Sequence, residues 1–213
     1  MTITHHPSDE TIAAFASGAL DEARGLVVAT HLSLCAECRK TMRALELVGG
    51  AMLDRIEPEA MPADAVARAM AQLDYGPLQE QQLWSGSPAA DDIPAPLRPY
   101  ELGPWRRIGR GVEWRPVDVP SGRDVRVFML RAQPGTRLPR HRHKGDEWTC
   151  VFEGAFRHDL GRFGPGDFDE ADETVEHNPV VEDGVPCICL VTLEGGIAFQ
   201  GWMGRLLQPF VRI

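Results

Sequence analysis

Two groups of residues in this 213-residue chain have the types and spacing of metal ligands. In THLSLCAECR, His31, Cys35 and Cys38 form an H-x3-C-x2-C pattern. His31 and Cys35, four residues apart on a continuing helix, share one face, and Cys38 one turn on converges with them. Two thiolates and an imidazole suit zinc, which takes four ligands in a tetrahedron at about 2.0 to 2.3 Å, so a fourth must come from elsewhere. His5 and His6 are the nearest candidates. The second group lies in PGTRLPRHRHKGDEWTCVFEG. His141 and His143 are two apart, so on a strand both imidazoles face the same side, and Glu147 returns on the following segment.

The elements that must position these ligands change character along the chain. Up to about Tyr75 the pattern predicts four short helices. The first is capped by Ser8, with Asp9 and Glu10 in its first turn, where they suit the helix dipole. The second starts near Asp21 and runs to the His31 region. The third runs from about Glu37 through Val48, with Gly49 and Gly50 weakening or ending it. The fourth covers Ala63 to Asp74, with Val66, Met70 and Leu73 at i, i+4 and i+7. From residue 77 to 99 the chain turns rich in Pro, Gly, Gln, Ser and Asp without a sustained period, as a linker does. Beyond it, strand-like runs at Val125 to Leu130, Glu147 to Phe152 and Val185 to Leu193 alternate with Gly-Pro turns, the pattern of a barrel or sandwich. The organisation expected is therefore α+β in two domains: a helical domain at 1–76, a linker at 77–99 and an antiparallel β-barrel at 100–213.

Charge and cysteine usage narrow the function. The net charge of −9 opposes a phosphate-binding surface, so nucleic acid is not an expected partner. Residues 1–76 hold 11 acidic and 6 basic side chains, whereas residues 100–213 hold 17 and 15. The acidic density sits on the helical half, where it would meet a basic protein partner. The start, MTITHHPSDE, has neither a basic nor an apolar export segment, and no apolar run exceeds the five residues of Cys187 to Val191. A cytoplasmic, reducing location with no membrane partner is expected, where a Cys-x2-Cys pair serves a metal or redox chemistry rather than a structural disulfide. No βαβ unit surrounds the pair, which argues against the redox use. Cys187 and Cys189, on one face of a strand, are expected as buried thiols. The acidic run from Asp167 to Glu176 is expected to pair with Arg137, Arg140, Arg142 and Lys144.

The N-terminal histidine followed by His31-x3-Cys35-x2-Cys38 between short helices resembles the zinc-binding anti-sigma domain that holds extracytoplasmic-function sigma factors inactive. The resemblance implies His6, His31, Cys35 and Cys38 as structural zinc ligands, with His5 the rival of His6. Gly135, His141-x-His143, Glu147 and Gly154 match the spacing of the first cupin motif. In the second motif the turn Gly166-Asp167 precedes His177 by ten residues, although Asp172-Glu173-Thr174 replaces the usual Pro and Gly and Val181 the usual Asn. The cupin resemblance implies a jelly-roll barrel with a second divalent metal on His141, His143, Glu147 and His177, zinc first, with manganese, iron or nickel as alternatives.

A zinc anti-sigma domain, a proline-rich linker and a cupin in that order resemble the ChrR-type anti-sigma factors of the singlet-oxygen and oxidative-stress response. That implies a non-enzymatic repressor of transcription, binding a group IV sigma factor one to one with apolar anchors on helices one and four. The other reading of the same residues is a cupin dioxygenase or isomerase with a helical zinc appendage, since three His and one Glu leave positions open to oxygen or a chelating substrate.

Overall fold

A computed structural model describes residues 2–73, 93–122 and 124–199. Most of the proline-rich stretch, and the whole apolar tail GWMGRLLQPFVRI, lie outside the described residues. The helices are α1 (Asp9–Ala16), α2 (Glu22–Leu34), α3 (Ala36–Leu53) and α4 (Ala65–Leu73). Ser8 caps α1 by accepting from the Thr11 N–H, and Asp21 caps α2 by accepting from the Arg24 N–H. Helix α3 differs from expectation, since it runs through Gly49 and Gly50 to Leu53. Glycine raises the cost of a helix by about 1 kcal/mol per residue without forbidding it, and no proline intervenes before Pro58. A 3-10 turn at Ala95–Leu97 then seats Leu97, fully buried, against α2.

Thirteen strands follow among the described residues, all antiparallel. β1 (Glu101–Leu102), β2 (Arg106–Gly109), β3 (Val112–Asp118), β4 (Val125–Ala132), β6 (Glu147–Glu153), β9 (Phe168–Ala171) and β12 (Cys187–Glu194) make one sheet, ordered β1-β3-β4-β12-β6-β9 with β2 on β3. β10 (Glu176–His177), β5 (His141–His143) and β13 (Ile197–Phe199) make a second, and β11 (Val180–Val181), β7 (Phe156–His158) and β8 (Gly161–Phe163) a third. The barrel is thus three bent sheets rather than one closed ladder among the described residues. Pro139 and Pro179, beside the short strands, have no N–H with which to extend a ladder.

The large sheet is covered on both faces. Phe128, Leu130, Ala132, Thr149, Cys187, Cys189 and Val191 point into the barrel. Their neighbours Val127, Met129, Trp148, Cys150 and Leu190 point outward and pack on Ala23, Leu26, Val27 and Leu97. Alternation of side chains along a strand delivers both sets, and two covered faces require the near-continuous apolar run of β12. Helix α2 meets the sheet through Ala23, Leu26, Val27, Thr30 and His31, the i, i+3, i+4, i+7, i+8 stripe of an amphipathic helix, all of them buried. Arg24 fastens the edge of this contact, with Glu194 at 2.6 Å, Asp146 at 3.2 Å and the Trp148 ring beneath it.

One turn makes a test of the barrel. Gly154 has φ +66, and a Cβ there would meet the Pro186 carbonyl oxygen at 2.5 Å. Gly154→Ala should destabilise the protein by about 1–3 kcal/mol, read as a lower midpoint in urea unfolding.

Candidate metal centres

The first cluster is assembled where α2 ends. The chain does not continue helically through Cys35: that residue is extended, with φ −96 and ψ 110, and serves as C-cap of α2 and N-cap of α3. Its Sγ accepts from the Cys38 N–H, satisfying one of the donors that every helix N-terminus leaves unpaired. The break turns both thiols toward His31. His31 Nε2 lies 3.2 Å from Cys38 Sγ, and His6 Nδ1 lies 3.3 Å from Cys38 Sγ and 3.4 Å from Cys35 Sγ. A tetrahedron at zinc–ligand distances has edges of about 3.3–3.8 Å, close to these three separations, and all four donor atoms lie within 4.8 Å of one another. His5 points elsewhere. Its ring lies 4.2 Å from that of Phe163, and its Nδ1 faces Thr4.

The barrel itself holds this cluster in place. His31 Nδ1–H donates to the Gly166 carbonyl at 2.8 Å, which leaves Nε2 with the lone pair that faces the thiols. Asp167 accepts from the Thr4 N–H at 2.7 Å and the His5 N–H at 2.9 Å, and the Phe168 N–H donates to the His5 carbonyl. His6 is thereby delivered by the turn between β8 and β9. Glu170 continues the contact by accepting from the Ser8 N–H and the Thr11 hydroxyl. The acidic run therefore divides its partners differently from expectation: only Glu176 pairs with Arg140 and Arg142 among the described residues, while Asp167 and Glu170 hold the N-terminal segment.

Burial pushes the His31 imidazole down to about 4, and burial with the Cys35 neighbour pushes the Cys38 thiol up to about 12. Without a cation His31 and Cys38 are neutral, and a metal binding there displaces the Cys38 thiol proton. Asp167 is shifted oppositely. Burial alone would raise it, but N–H donors from Gly164, Thr4 and His5 hold the carboxyl below its ordinary value. A depressed carboxyl contributes stability that is present above about pH 4 and lost as pH falls through the folded value. Acidification below pH 4 should therefore free the Thr4 and His5 amides to exchange with solvent, and Asp167→Ala should do so at neutral pH at a cost of about 1–3 kcal/mol.

The second cluster lies inside the barrel. His141 and His143 flank Arg142 on β5 and are both buried, whereas Arg142 is exposed, and His177 on β10 pairs directly with His141 in the ladder. His141 Nδ1–H donates to the Pro139 carbonyl at 2.7 Å, leaving Nε2 toward the centre. His177 Nε2 is 3.0 Å from His143 Nε2 and 3.1 Å from His141 Nε2. An ion about 2.1 Å from each nitrogen, in a right-angled arrangement, sets them about 3.0 Å apart. Glu147, opening β6, adds an oxygen 4.0 Å from His177 Nε2. Burial lowers His141, brings His143 to about 4 and His177 to about 3, and pushes the Glu147 carboxyl up to about 8 with help from Asp169. Three neutral imidazoles and a carboxyl that a cation would ionise form a donor set fitted to a divalent metal.

Sequence reasoning missed two residues here. His158 on β7 and Asp169 on β9 are joined Nε2 to Oδ2 at 2.9 Å, and the His158 ring stands 4.9 Å from that of His177. No motif spacing links them; the available signal was parity, because Asp169 alternates with the outward Phe168 and Glu170 and so faces inward. All five cysteines are free and buried. The Cys189 thiol, hydrogen-bonded to Cys187 and buried, is held well above the ordinary thiol range.

Comparison with known proteins decides the family. Over the whole of both chains, the sequence is 43% identical to the anti-sigma-E factor ChrR of Cereibacter sphaeroides. The chain belongs to the ChrR family of anti-sigma factors. A ChrR cupin-like domain is matched at residues 100–195. The crystal structure of Rhodobacter sphaeroides SigE in complex with the anti-sigma ChrR matches with a TM-score of 0.76 and 40% identity, covering 91% of this chain and 100% of that one. No described helix of this ChrR relative is long and apolar enough to cross a membrane.

Proposed function

We propose that this chain binds a group IV sigma factor one to one and holds it inactive through its N-terminal helices. In this reading His6, His31, Cys35 and Cys38 hold a structural zinc, and His141, His143, Glu147 and His177 hold a second divalent metal. The cupin half then makes repression responsive to singlet oxygen and related oxidants. Residues 1–76 act as the sigma-binding unit and residues 100–213 as the responsive one.

One observation carries the reading. Beyond the zinc cluster, α3, the turn that follows it and α4 present Leu47, Met52, Ile56, Val66, Met70 and Leu73, each more than half exposed, and α4 buries none of its residues. An apolar surface of this extent marks a protein-binding face, and helices with anchors at i, i+4 and i+7 suit a helix-in-groove contact. Around it five acidic side chains, Glu46, Asp54, Glu57, Glu59 and Asp64, outnumber Arg43, Arg55 and Arg68, a net negative border that favours a basic partner. The anchors lie on helices three and four rather than one and four, because Ile12 of α1 is buried in the protein's own core. The double variant Met52→Glu with Met70→Glu should weaken sigma binding about 100-fold in a titration while changing stability by less than about 0.5 kcal/mol. Unchanged affinity would move the interface elsewhere.

The His158 and Asp169 pair beside His177 favours the second reading, a metal-dependent oxygenase or isomerase, since it offers an acid–base group apart from the proposed ligands. Oxygen consumption by the metal-loaded chain separates the two.

A further inference from the structure

Beside the three converging imidazoles the barrel encloses a cavity of about 360 Å³. Its long walls are apolar, built largely by Val112, Phe128, Leu130, Ala132, Phe156 and Val191. Strand register gives its shape. Thr149, next but one to Glu147, pairs with Val191, which pairs with Phe128; four residues along β12, Cys187 pairs with Ala132, which pairs with Val112. The chamber therefore extends about 13 Å from the level of Thr149 to that of Val112. Its far end is formed by turns carrying Arg110 and Arg137. A barrel serving only as packing would fill such a space, since protein interiors leave few voids larger than water.

We propose that this chamber binds a medium-chain amphiphile with a single anionic oxygen headgroup, the head on the cupin metal and the chain along the apolar walls. The proposal rests on the reading of His141, His143, Glu147 and His177 as metal ligands. A divalent ion with three neutral imidazoles and one carboxylate keeps net positive charge and open positions, so it selects an anionic oxygen donor. The volume holds roughly a dozen non-hydrogen atoms at the volume of water per atom, the size of an eight-carbon carboxylate. Arg110 and Arg137 at the far end attract an anion toward the chamber.

The test is calorimetric titration of the full chain, its metal content measured independently, with octanoate, butyrate and octan-1-ol as probes. One octanoate per chain is expected, with butyrate and octan-1-ol at least tenfold weaker, the first for want of apolar contact and the second for want of charge. Leu130→Trp and Val191→Phe, on neighbouring strands of the wall, should each lose octanoate at least tenfold while keeping both metals. Absence of metal from the barrel in the unmodified chain would overturn the ligand reading and this proposal with it. A full metal complement with no octanoate binding, with octan-1-ol binding equally well, or with unchanged binding in both filled variants, would overturn this proposal alone.

Discussion

Replacing Cys38 by Ala, or Cys35 by Ser, should yield a chain with one metal fewer and no measurable sigma binding. Cys38 Sγ stands within 3.3 Å of both His31 and His6, so its loss would remove a shared vertex of the proposed zinc tetrahedron rather than a peripheral ligand. Cys35 carries a second burden, since its thiol also caps α3, the helix that presents Leu47 and Met52. Zinc contributes roughly 10 kcal/mol of apparent folding free energy in small zinc-dependent peptides, more than a short helical unit can lose. Elemental analysis and a pull-down with the sigma factor read the two effects, and derepression should follow in cells. A Cys35 variant that inhibits transcription at normal protein levels would defeat the proposed role.

The opposite pattern is expected for the barrel. His141→Ala or Glu147→Ala should remove the second metal yet leave basal inhibition within about twofold, because neither residue belongs to the α3–α4 surface. Induction by singlet oxygen or peroxide should fall to about a tenth or less, since release requires an element with two states that the signal biases. The route from one cluster to the other is short. Asp169 of β9 holds His158 beside His177, while Asp167 and Gly166, in the turn that feeds the same strand, hold the N-terminal segment and His31. Normal induction in a variant shown to lack the barrel metal would turn attention to Cys187 and Cys189.

Much of this arrangement was legible because it is local. The Ser8 cap, the start of α2 near Asp21 and the shared face of His141 and His143 each depend on residues within a few positions of one another, whereas the break at Cys35 was not foreseen. What escaped was the long-range part. The pairing of His158 with Asp169 and the capture of His31 by Gly166 join residues 11 and 135 positions apart, which no periodicity encodes. The docking of the helices on the sheet did leave a trace in the uninterrupted apolar run of β12, the pattern of a strand covered on both faces. The acidic run was misread because charge alone does not say whether a carboxylate will meet an arginine or a backbone N–H.

The Gly166 carbonyl that orients His31 has a consequence for how the two halves share stability. A hydrogen bond that positions a ligand for metal in one half originates in the other, and α2 completes the outer wall of the sheet, so neither half reaches its full complement of contacts alone. Free energy is then exchanged in both directions. A metal held by His6, His31, Cys35 and Cys38 would brace the β8–β9 turn, and by reciprocity anything that shifted this turn would alter the affinity of the helices for it. Under the proposed function, partner, zinc and barrel ligand would then be coupled terms of one binding polynomial, each concentration setting the apparent affinity of the others.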